Sequence, residues 1–219
     1  MTSSLLIVDD HSLLRESMAV GLRSLPLIES VAEAKDSEGA IALTLERNPD
    51  LILVDLSLGE QSGFDLLPKL AACSRRSKLV VLTMHCMEAY AVRALELGAS
   101  AYLTKRLSLK ELGVALGEVL SGSVVLDAGL DEARIRKMQS GDERVRFERW
   151  PSRRLQVLRR LLSGWGAAHI AEDLSISEKT VESHRSNIFR MLRTKSTPEL
   201  IAKFQRNGWD LLLPGEESA

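Results

Sequence analysis

Cysteines, long apolar segments and a recognisable leader are scarce or missing in this sequence of 219 residues. The two cysteines, Cys73 and Cys86, have the spacing of neither a metal site nor a redox pair, which predicts reduced thiols. No apolar run approaches the roughly 20 residues that a membrane span needs. Residues 1–4 do not resemble a signal peptide. We therefore expect a cytoplasmic protein with no membrane association.

Charge divides the sequence in two, although the net charge is only -1. Residues 1–125 carry 12 Lys and Arg against 16 Asp and Glu, whereas residues 144–213 carry 14 against 7. An acidic first half joined to a basic second half is typical of a regulatory or catalytic module attached to a nucleic-acid binder. A basic face that is merely solvated is the alternative explanation.

The first half alternates short apolar segments with helical patterns. Segments of strand length occupy residues 5–8, 30–34, 51–55, 78–82 and 101–103. Each is followed by an amphipathic pattern of helical period, the last over residues 107–120. This alternation predicts an α/β domain with a five-stranded, doubly wound parallel sheet.

Polar residues with reactive side chains stand where these strands end. They are Asp9 and Asp10 after the first strand, Asp55 after the third, Thr83 after the fourth and Lys105 after the fifth. The strands of such a sheet end at one edge, so these side chains converge. Gathered carboxylates repel one another unless a cation lies among them, and oxygen ligands suit Mg²⁺. A carboxylate beside a metal ion and an ammonium can attack phosphorus.

Asp55 by itself has a simpler interpretation, as a residue that caps the turn after its strand. Residues 51–63 read LILVDLSLGEQSG, so four apolar residues lead into Asp55 and then into turn-forming residues. The polar residues at the other strand ends favour chemistry at Asp55 over capping.

Residues 4–122 resemble the receiver domain of two-component response regulators. The resemblance rests on the strand-end residues Asp9, Asp10, Asp55, Thr83 and Lys105. It implies a flavodoxin-like fold, with Asp55 as the phosphoacceptor. Asp10 and Asp55 would bind Mg²⁺ directly, with the Ser57 backbone carbonyl as a third ligand, and Asp9 would act mainly through water.

The same resemblance implies a switch. Lys105 would pair with the acyl phosphate, and Thr83 with Tyr102 would respond to it. For Tyr102, a half-buried aromatic on an edge strand is an equal alternative. Three positions depart from the family pattern without removing a reacting group. They are Gly59, where proline is frequent, Met84, where small residues are frequent, and Arg106, where many members have proline.

Residues 123–148 combine glycines and charges with weak periodicity, which predicts a linker with at most a short helix over residues 132–139. Residues 149–213 are predicted to form a small all-α domain, and residues 214–219 an acidic tail. The domain contains a short helix, a tight turn and a longer helix over residues 178–192 with a polar outer face. This is helix-turn-helix geometry, although a bundle with a solvated face fits the pattern equally well.

Residues 150–208 resemble the LuxR-type helix-turn-helix. The matching positions are Gly164, Ile170, Ala171, Leu174, Ser177, Thr180, Val181, His184, Ile188 and Leu192. A receiver followed by this module is the arrangement of the NarL/FixJ response regulators. The resemblance places the helix that starts at Glu178 in the major groove. Glu182, Ser183 and Ser186 would face bases, and Lys179, Thr180, Arg185 and Asn187 would reach phosphates.

Several positions of the second half depart from the family or remain ambiguous. Arg154 and His169 stand where Glu is usual, and Met191 where Lys is usual, so the operator is unpredictable. His184 is expected to support its helix rather than bind metal. The last helix resembles the family's dimer-forming element, although its apolar residues could equally pack on their own domain.

We conclude that the sequence predicts a DNA-binding response regulator rather than an enzyme. A sensor histidine kinase would phosphorylate Asp55, the receiver would catalyse its own phosphorylation and dephosphorylation, and a homodimer would bind two half-sites on double-stranded DNA. One alternative is a regulator that binds DNA without phosphorylation. Another is a phosphotransfer or phosphate-sink protein, which leaves the helix-turn-helix spacing unexplained.

Overall fold

The computed structural model describes residues 2–59, 61–139, 147–207, 209 and 213. Its contacts divide the chain into two compact units, residues 1–139 and 140–219. Among the described residues, no helix has both the length and the apolar character needed to cross a membrane.

The first unit is a parallel α/β sheet, as the sequence predicts. Its elements are β1 (Ser3–Val8), α1 (Ser12–Arg23), β2 (Ile28–Ala34), α2 (Ser37–Arg47), β3 (Leu51–Val54), β4 (Ser57–Leu58), β5 (Gln61–Ser62), α3 (Gly63–Cys73), β6 (Lys78–Thr83), α4 (Glu88–Glu96), β7 (Ala99–Thr104), α5 (Leu109–Leu120), β8 (Val125–Leu126) and α6 (Glu132–Gln139). The main sheet has the order β2-β1-β3-β6-β7-β8, and every pair is parallel. β4 and β5 form a separate antiparallel hairpin.

Burial on both faces explains why the central strands read as continuous apolar runs. All four residues of β3 are buried, as are residues 5–8 of β1. Helices on both sides exclude water from such strands, so alternating polar residues would be unfavourable there.

Asp36 caps α2 by accepting a hydrogen bond from the Gly39 N–H at 2.8 Å, as its sequence context predicts.

The sheet has six strands where five are predicted, and the difference lies in the segment interpreted as a linker. Val125 and Leu126 pair with Ala101 and Tyr102 of β7. The predicted helix over residues 132–139 is present as α6, and it packs against α4. The pattern was weak because the strand has only two residues and half of the residues of the helix are charged.

The second unit is all-helical, as predicted. It contains a short 3₁₀ turn (Phe147–Arg149) followed by α7 (Ser152–Leu162), α8 (Ala167–Asp173), α9 (Glu178–Leu192) and α10 (Thr197–Asn207). Ser177 caps α9, since its hydroxyl accepts from the Thr180 N–H at 3.1 Å.

An aromatic cluster supports α10 within this unit. The Phe147 ring lies 5.3 Å from Trp150 and 5.4 Å from Phe204, and Phe204 lies 5.5 Å from Trp209. Phe204 and Leu200 are both buried in the unit. These two apolar residues of α10 therefore pack on their own domain, which was the alternative to a dimer face.

Gly63 controls how closely α3 approaches the end of β3. A Cβ atom there would lie 2.2 Å from the Asp55 carbonyl oxygen and 2.8 Å from the Leu56 Cα atom. We expect Gly63→Ala to destabilise the protein by about 1–3 kcal/mol or more, because backbone must move. The matched control is Gly117→Ala in α5, where no atom lies within 4 Å and alanine should stabilise by about 0.5–1 kcal/mol. Urea unfolding measures both, and equal effects would contradict this account.

A polar cluster surrounds Asp50, which directly precedes β3 and so lies at the edge of the sheet where the parallel strands begin. Its carboxylate accepts hydrogen bonds from the Ser4 N–H and hydroxyl, both at 2.9 Å, and pairs with the Arg76 guanidinium. Burial alone would raise the pKa of Asp50, but these bonds outweigh it and lower the pKa below its ordinary value of 3.8. The charged form is therefore stabilised by folding.

This cluster predicts a pH-dependent contribution to stability. A carboxyl whose pKa is lower in the folded state stabilises above its unfolded pKa and loses that contribution as pH falls through the folded pKa. We expect Asp50→Asn to lower the free energy of unfolding by about 1–3 kcal/mol at pH 7. The difference from wild type should shrink as pH falls below 3.8. Urea unfolding between pH 7 and pH 3 measures it, with Glu16→Gln, an exposed residue of α1, as the control. A difference that is independent of pH would argue against the assignment.

Candidate functional site

Three strand ends bring two carboxylates and an ammonium together. Lys105 Nζ lies 2.6 Å from Asp9 Oδ2 and 2.6 Å from Asp55 Oδ2. The exposed fractions of the three side chains are only 4%, 1% and 5%, so the cluster is almost fully shielded from water. The register of β1, β3 and β7 produces this convergence, since each residue follows the last residue of its strand.

The protonation state of Lys105 follows from its partners. Burial by itself lowers the pKa of a lysine, but the hydrogen bonds and charges of Asp55 and Asp9 outweigh that effect and raise the pKa of Lys105 above 10.5. The ammonium is therefore charged throughout the neutral range. It partly neutralises two carboxylates that would otherwise repel each other.

The same edge offers a set of possible metal ligands. Ligand atoms of Asp9, Asp10, His11 and Asp55 all lie within 4.8 Å of one another. The His11 N–H fixes Asp9 by donating to Oδ1 at 2.9 Å, and His11 Nδ1 lies 2.8 Å from Asp10 Oδ1. Three carboxylates provide the hard oxygen donors that Mg²⁺ prefers. His11 was not predicted as part of the site, although its position directly after Asp10 was a usable signal.

The turn after Asp55 closes over the site as a hairpin. The Ser57 N–H donates to Asp55 Oδ1 at 3.3 Å, and Ser57 pairs with Ser62 across β4 and β5. Gly59 has φ = 62°, and a Cβ atom there would lie 3.7 Å from Asp10 Oδ2. Proline cannot adopt a positive φ, so the departure at Gly59 corresponds to a different turn from one that contains proline.

The predicted switch residues lie on neighbouring strands and meet at His85. Thr83 is fully buried, and its Oγ1 accepts from the His85 N–H at 3.4 Å. The Tyr102 hydroxyl donates to the His85 carbonyl oxygen at 2.8 Å. Burial, together with neighbouring acidic groups, raises the pKa of Tyr102 well above its usual value. Tyr102 is completely buried on a strand that is paired on both sides, so the alternative of a half-buried aromatic on an edge strand is wrong.

The predicted DNA-contacting residues share the outer face of α9. Val181, Ile188 and Leu192 form its buried face. The outer face carries the residues predicted to contact DNA, four of them exposed (Lys179, Thr180, Ser183 and Ser186) and three partly exposed (Glu182, Arg185 and Asn187). Arg185 Nη2 lies 2.8 Å from Glu182 Oε2, and Arg190 donates to Asn187 Oδ1 at 2.6 Å, so three of these residues are held by charged side chains of the same helix.

Two of the departures from the LuxR pattern contact each other. Arg154 donates to Met191 Sδ at 3.6 Å, and its guanidinium lies 5.6 Å from the centre of the Trp150 ring. Arg154 stands where the family pattern has Glu, and Met191 stands where it has Lys. Burial lowers the pKa of His184, and the charges of Arg154 and Arg153 lower it further, so His184 is neutral at pH 7. The described residues place no other potential metal ligands around it.

Comparisons with known proteins find a family for each of the two units. The sequence model of the response regulator receiver domain matches residues 5–116, and that of the LuxR family of bacterial regulatory proteins matches residues 151–204. The transcriptional regulatory protein DegU of Brevibacillus brevis is 31% identical over an alignment that covers 94% of each chain. The chain belongs to the NarL/FixJ family of response regulators.

Further relatives also match nearly the whole chain. The oxygen regulatory protein NreC of Staphylococcus epidermidis is 32% identical and covers 90% of this chain and 94% of its own. The crystal structure of the response regulator ChrA, from a heme-sensing two-component system, is 25% identical, has a TM-score of 0.53 and covers 94% of this chain and 97% of that one. This response regulator is a DNA-binding transcription regulator of a two-component system, not a classical enzyme.

The buried cluster predicts competition between Lys105 and a divalent cation. Lys105→Met leaves two buried carboxylates without their counter-charge, so we expect a loss of about 3–5 kcal/mol in unfolding free energy when divalent ions are chelated. Millimolar Mg²⁺ should restore more stability in this variant than it adds to the wild type. Urea unfolding with and without Mg²⁺ measures both effects.

Lys110→Met is the matched control, because Lys110 is an exposed cation of α5 outside the cluster. It should respond to Mg²⁺ as the wild type does. An equal Mg²⁺ effect in the Lys105 variant and the wild type would contradict a shared cation position.

Proposed function

We propose that Asp55 is the phosphoacceptor of this response regulator and that a sensor histidine kinase is the donor. The observation that carries the proposal is the contact of Lys105 Nζ with both Asp55 and Asp9, 2.6 Å from each. A buried ion cluster of this kind is weak support for stability, since apolar residues of similar size often stabilise a core as well or better. Placed at the carboxyl edge of a parallel sheet, it is better explained by chemistry.

The transfer consists of one bond exchange at phosphorus. A carboxylate oxygen of Asp55 attacks the phosphorus atom of a phosphohistidine, a P–O bond forms, and the P–N bond to the imidazole breaks. The Lys105 ammonium then offsets the charge on the phosphoryl oxygens. The receiver would also catalyse transfer from small phosphodonors, as well as its own dephosphorylation, in which water attacks the phosphorus, the bond to the Asp55 oxygen breaks, and inorganic phosphate leaves with the carboxylate restored.

The ligand set described above is compatible with Mg²⁺ bound beside Asp55. Asp10 and Asp55 would hold the ion directly with the Ser57 carbonyl oxygen, and Asp9 would act mainly through water. When bound, the cation would provide positive charge beside the transferring phosphoryl oxygens. Asp10 is suited to this role because its carboxylate is 31% exposed and can be reached from solvent.

The switch would begin at Thr83. Its hydroxyl can donate to a phosphoryl oxygen on Asp55, which would draw the His85 backbone with it. Tyr102 would follow, since its hydroxyl is bonded to the His85 carbonyl oxygen. The rearranged face would favour a homodimer.

The dimer would bind two half-sites on double-stranded DNA through α9. Glu182, Ser183 and Ser186 would face bases. Lys179, Thr180, Arg185 and Asn187 would contact phosphates, which makes the affinity dependent on salt. A transcription regulator of this kind acts on DNA in the cytoplasm, where we place the protein.

The test compares wild type with Asp55→Asn. With Mg²⁺ and acetyl phosphate, the wild type should gain one phosphoryl group by intact mass and the variant none. We expect phosphorylation to raise the affinity of the protein for genomic DNA fragments that it enriches in a pull-down by about tenfold or more. A factor of this size is typical of the coupling between two binding sites. Asp65→Asn, an exposed acid on α3, is the matched control and should behave as wild type.

Other outcomes distinguish the alternatives. A wild type that is not phosphorylated would overturn the assignment of Asp55. Equal DNA affinities with and without phosphodonor would favour a regulator that binds DNA without phosphorylation. Rapid turnover at Asp55, with DNA binding that is weak and independent of sequence, would favour a phosphate sink.

A further inference from the structure

The segment after α5 has no part in the site described above, yet it is built into the receiver. Residues 124–139, which we name the strap, comprise β8, a turn and α6. Val125 and Leu126 pair with β7, the strand that leads to Lys105. The strap therefore lies beside the strand that carries Lys105 at its end.

Asp127 fastens the strap to the end of β7. Its Oδ2 accepts hydrogen bonds from the Thr104 N–H at 2.9 Å and the Thr104 hydroxyl at 2.6 Å, and its own N–H donates to the Tyr102 carbonyl oxygen at 2.9 Å. Its Oδ1 accepts from the Gly129 N–H at 2.9 Å. Burial would raise the pKa of Asp127, but the bonds from Thr104 and Gly129 outweigh it and lower the pKa, so the carboxylate is ionised when it makes them.

The bonds of Asp127 reach residues that belong to the switch. Thr104 directly precedes Lys105, whose N–H donates to the Thr83 carbonyl oxygen at 2.8 Å. Tyr102 holds Asp127 by its carbonyl oxygen and His85 by its hydroxyl. A displacement of Thr83 or Lys105 toward a phosphoryl group would therefore also displace the end of β7, to which Asp127 is hydrogen-bonded.

The far end of the strap lies against α4 through a small apolar contact. Leu130, Ile135 and Met138 are buried, and Arg134 Nη1 lies 3.5 Å from Glu88 Oε2 on α4. A pocket of about 280 Å³ that is open to solvent lies between α6, β8 and the end of α4. A helix of eight residues is not stable by itself in water, so α6 depends on these contacts and on the attachment at Asp127.

We propose that the strap is a releasable element of the receiver and that Asp127 is the positioning residue that couples its release to Asp55. The inference rests on the proposed phosphorylation of Asp55. When the phosphoryl group draws in Thr83 and Lys105, the end of β7 shifts, the bonds between Asp127 and Thr104 are weakened, and α6 leaves α4. In the sequence, the strap precedes the DNA-binding unit, so its release alters the segment that carries that unit.

Amide hydrogen exchange on the full chain tests the proposal. Exchange in residues 132–139 should be slow in the unphosphorylated wild type and at least about tenfold faster after treatment with acetyl phosphate and Mg²⁺. Asp127→Ala should show the faster exchange without phosphodonor and no further increase with it. Asp127→Asn keeps an acceptor oxygen and should be intermediate. Intact mass on the same samples shows whether Asp55 is phosphorylated.

Glu118→Gln is the matched control, because it removes the same charge from an exposed position of α5, outside the strap and outside the helix whose exchange is measured. It should respond as the wild type does. Phosphorylated wild type with unchanged exchange would overturn the coupling, and so would an Asp127→Ala variant with wild-type protection. A wild type that is not phosphorylated would overturn the proposed function instead, while the unphosphorylated comparison of Asp127→Ala with wild type would still decide the role of Asp127.

Discussion

The first unit is organised around one interaction, the contact of the Lys105 ammonium with the buried carboxylates of Asp9 and Asp55. Asp9, Asp55 and Lys105 come from three strands that are distant in sequence, and only a parallel sheet in this register brings them within hydrogen-bonding distance. Removing such charges from water opposes folding unless their geometry is good. The apolar strands around the cluster therefore stabilise an arrangement whose value is chemical, namely a carboxylate held beside positive charge.

The residues of this cluster could be predicted because two strong signals coincide at the strand ends. Fully apolar runs such as β3 define buried parallel strands, and parallel strands place the next residues at one edge. The strap could not be predicted in the same way. α6 was expected only as a short helix within a linker, β8 has two residues and gives no periodic signal, and the role of Asp127 depends on Thr104, a residue with no motif of its own. His85 was missed because only its backbone contacts Thr83 and Tyr102, whereas His11 could have been found from its position directly after Asp10.

The second unit shows a similar division between pattern and context. The helices, the cap at Ser177 and the polar face of α9 follow from the sequence, because periodicity and capping are local. The ambiguity in α10 needed the structure, since Phe204 packs on Phe147, which lies 57 positions earlier in the chain. Arg154 and Met191 each depart from the family pattern, and only the structure shows that the two side chains contact each other.

A receiver that controls a separate domain needs an element of low stability between its rigid site and the rest of the chain. The buried cluster at Asp55 is unsuited to this role, because its strands lie at the centre of the sheet and open only with the whole unit. The strap is suited to it, with two strand residues, a short helix beside an open pocket and one carboxylate that bonds both to its own turn and to the strand of Lys105. By the proposed coupling, phosphorylation shifts the strap between a docked and a released state only by as much as the two states differ in their interaction with the phosphorylated site.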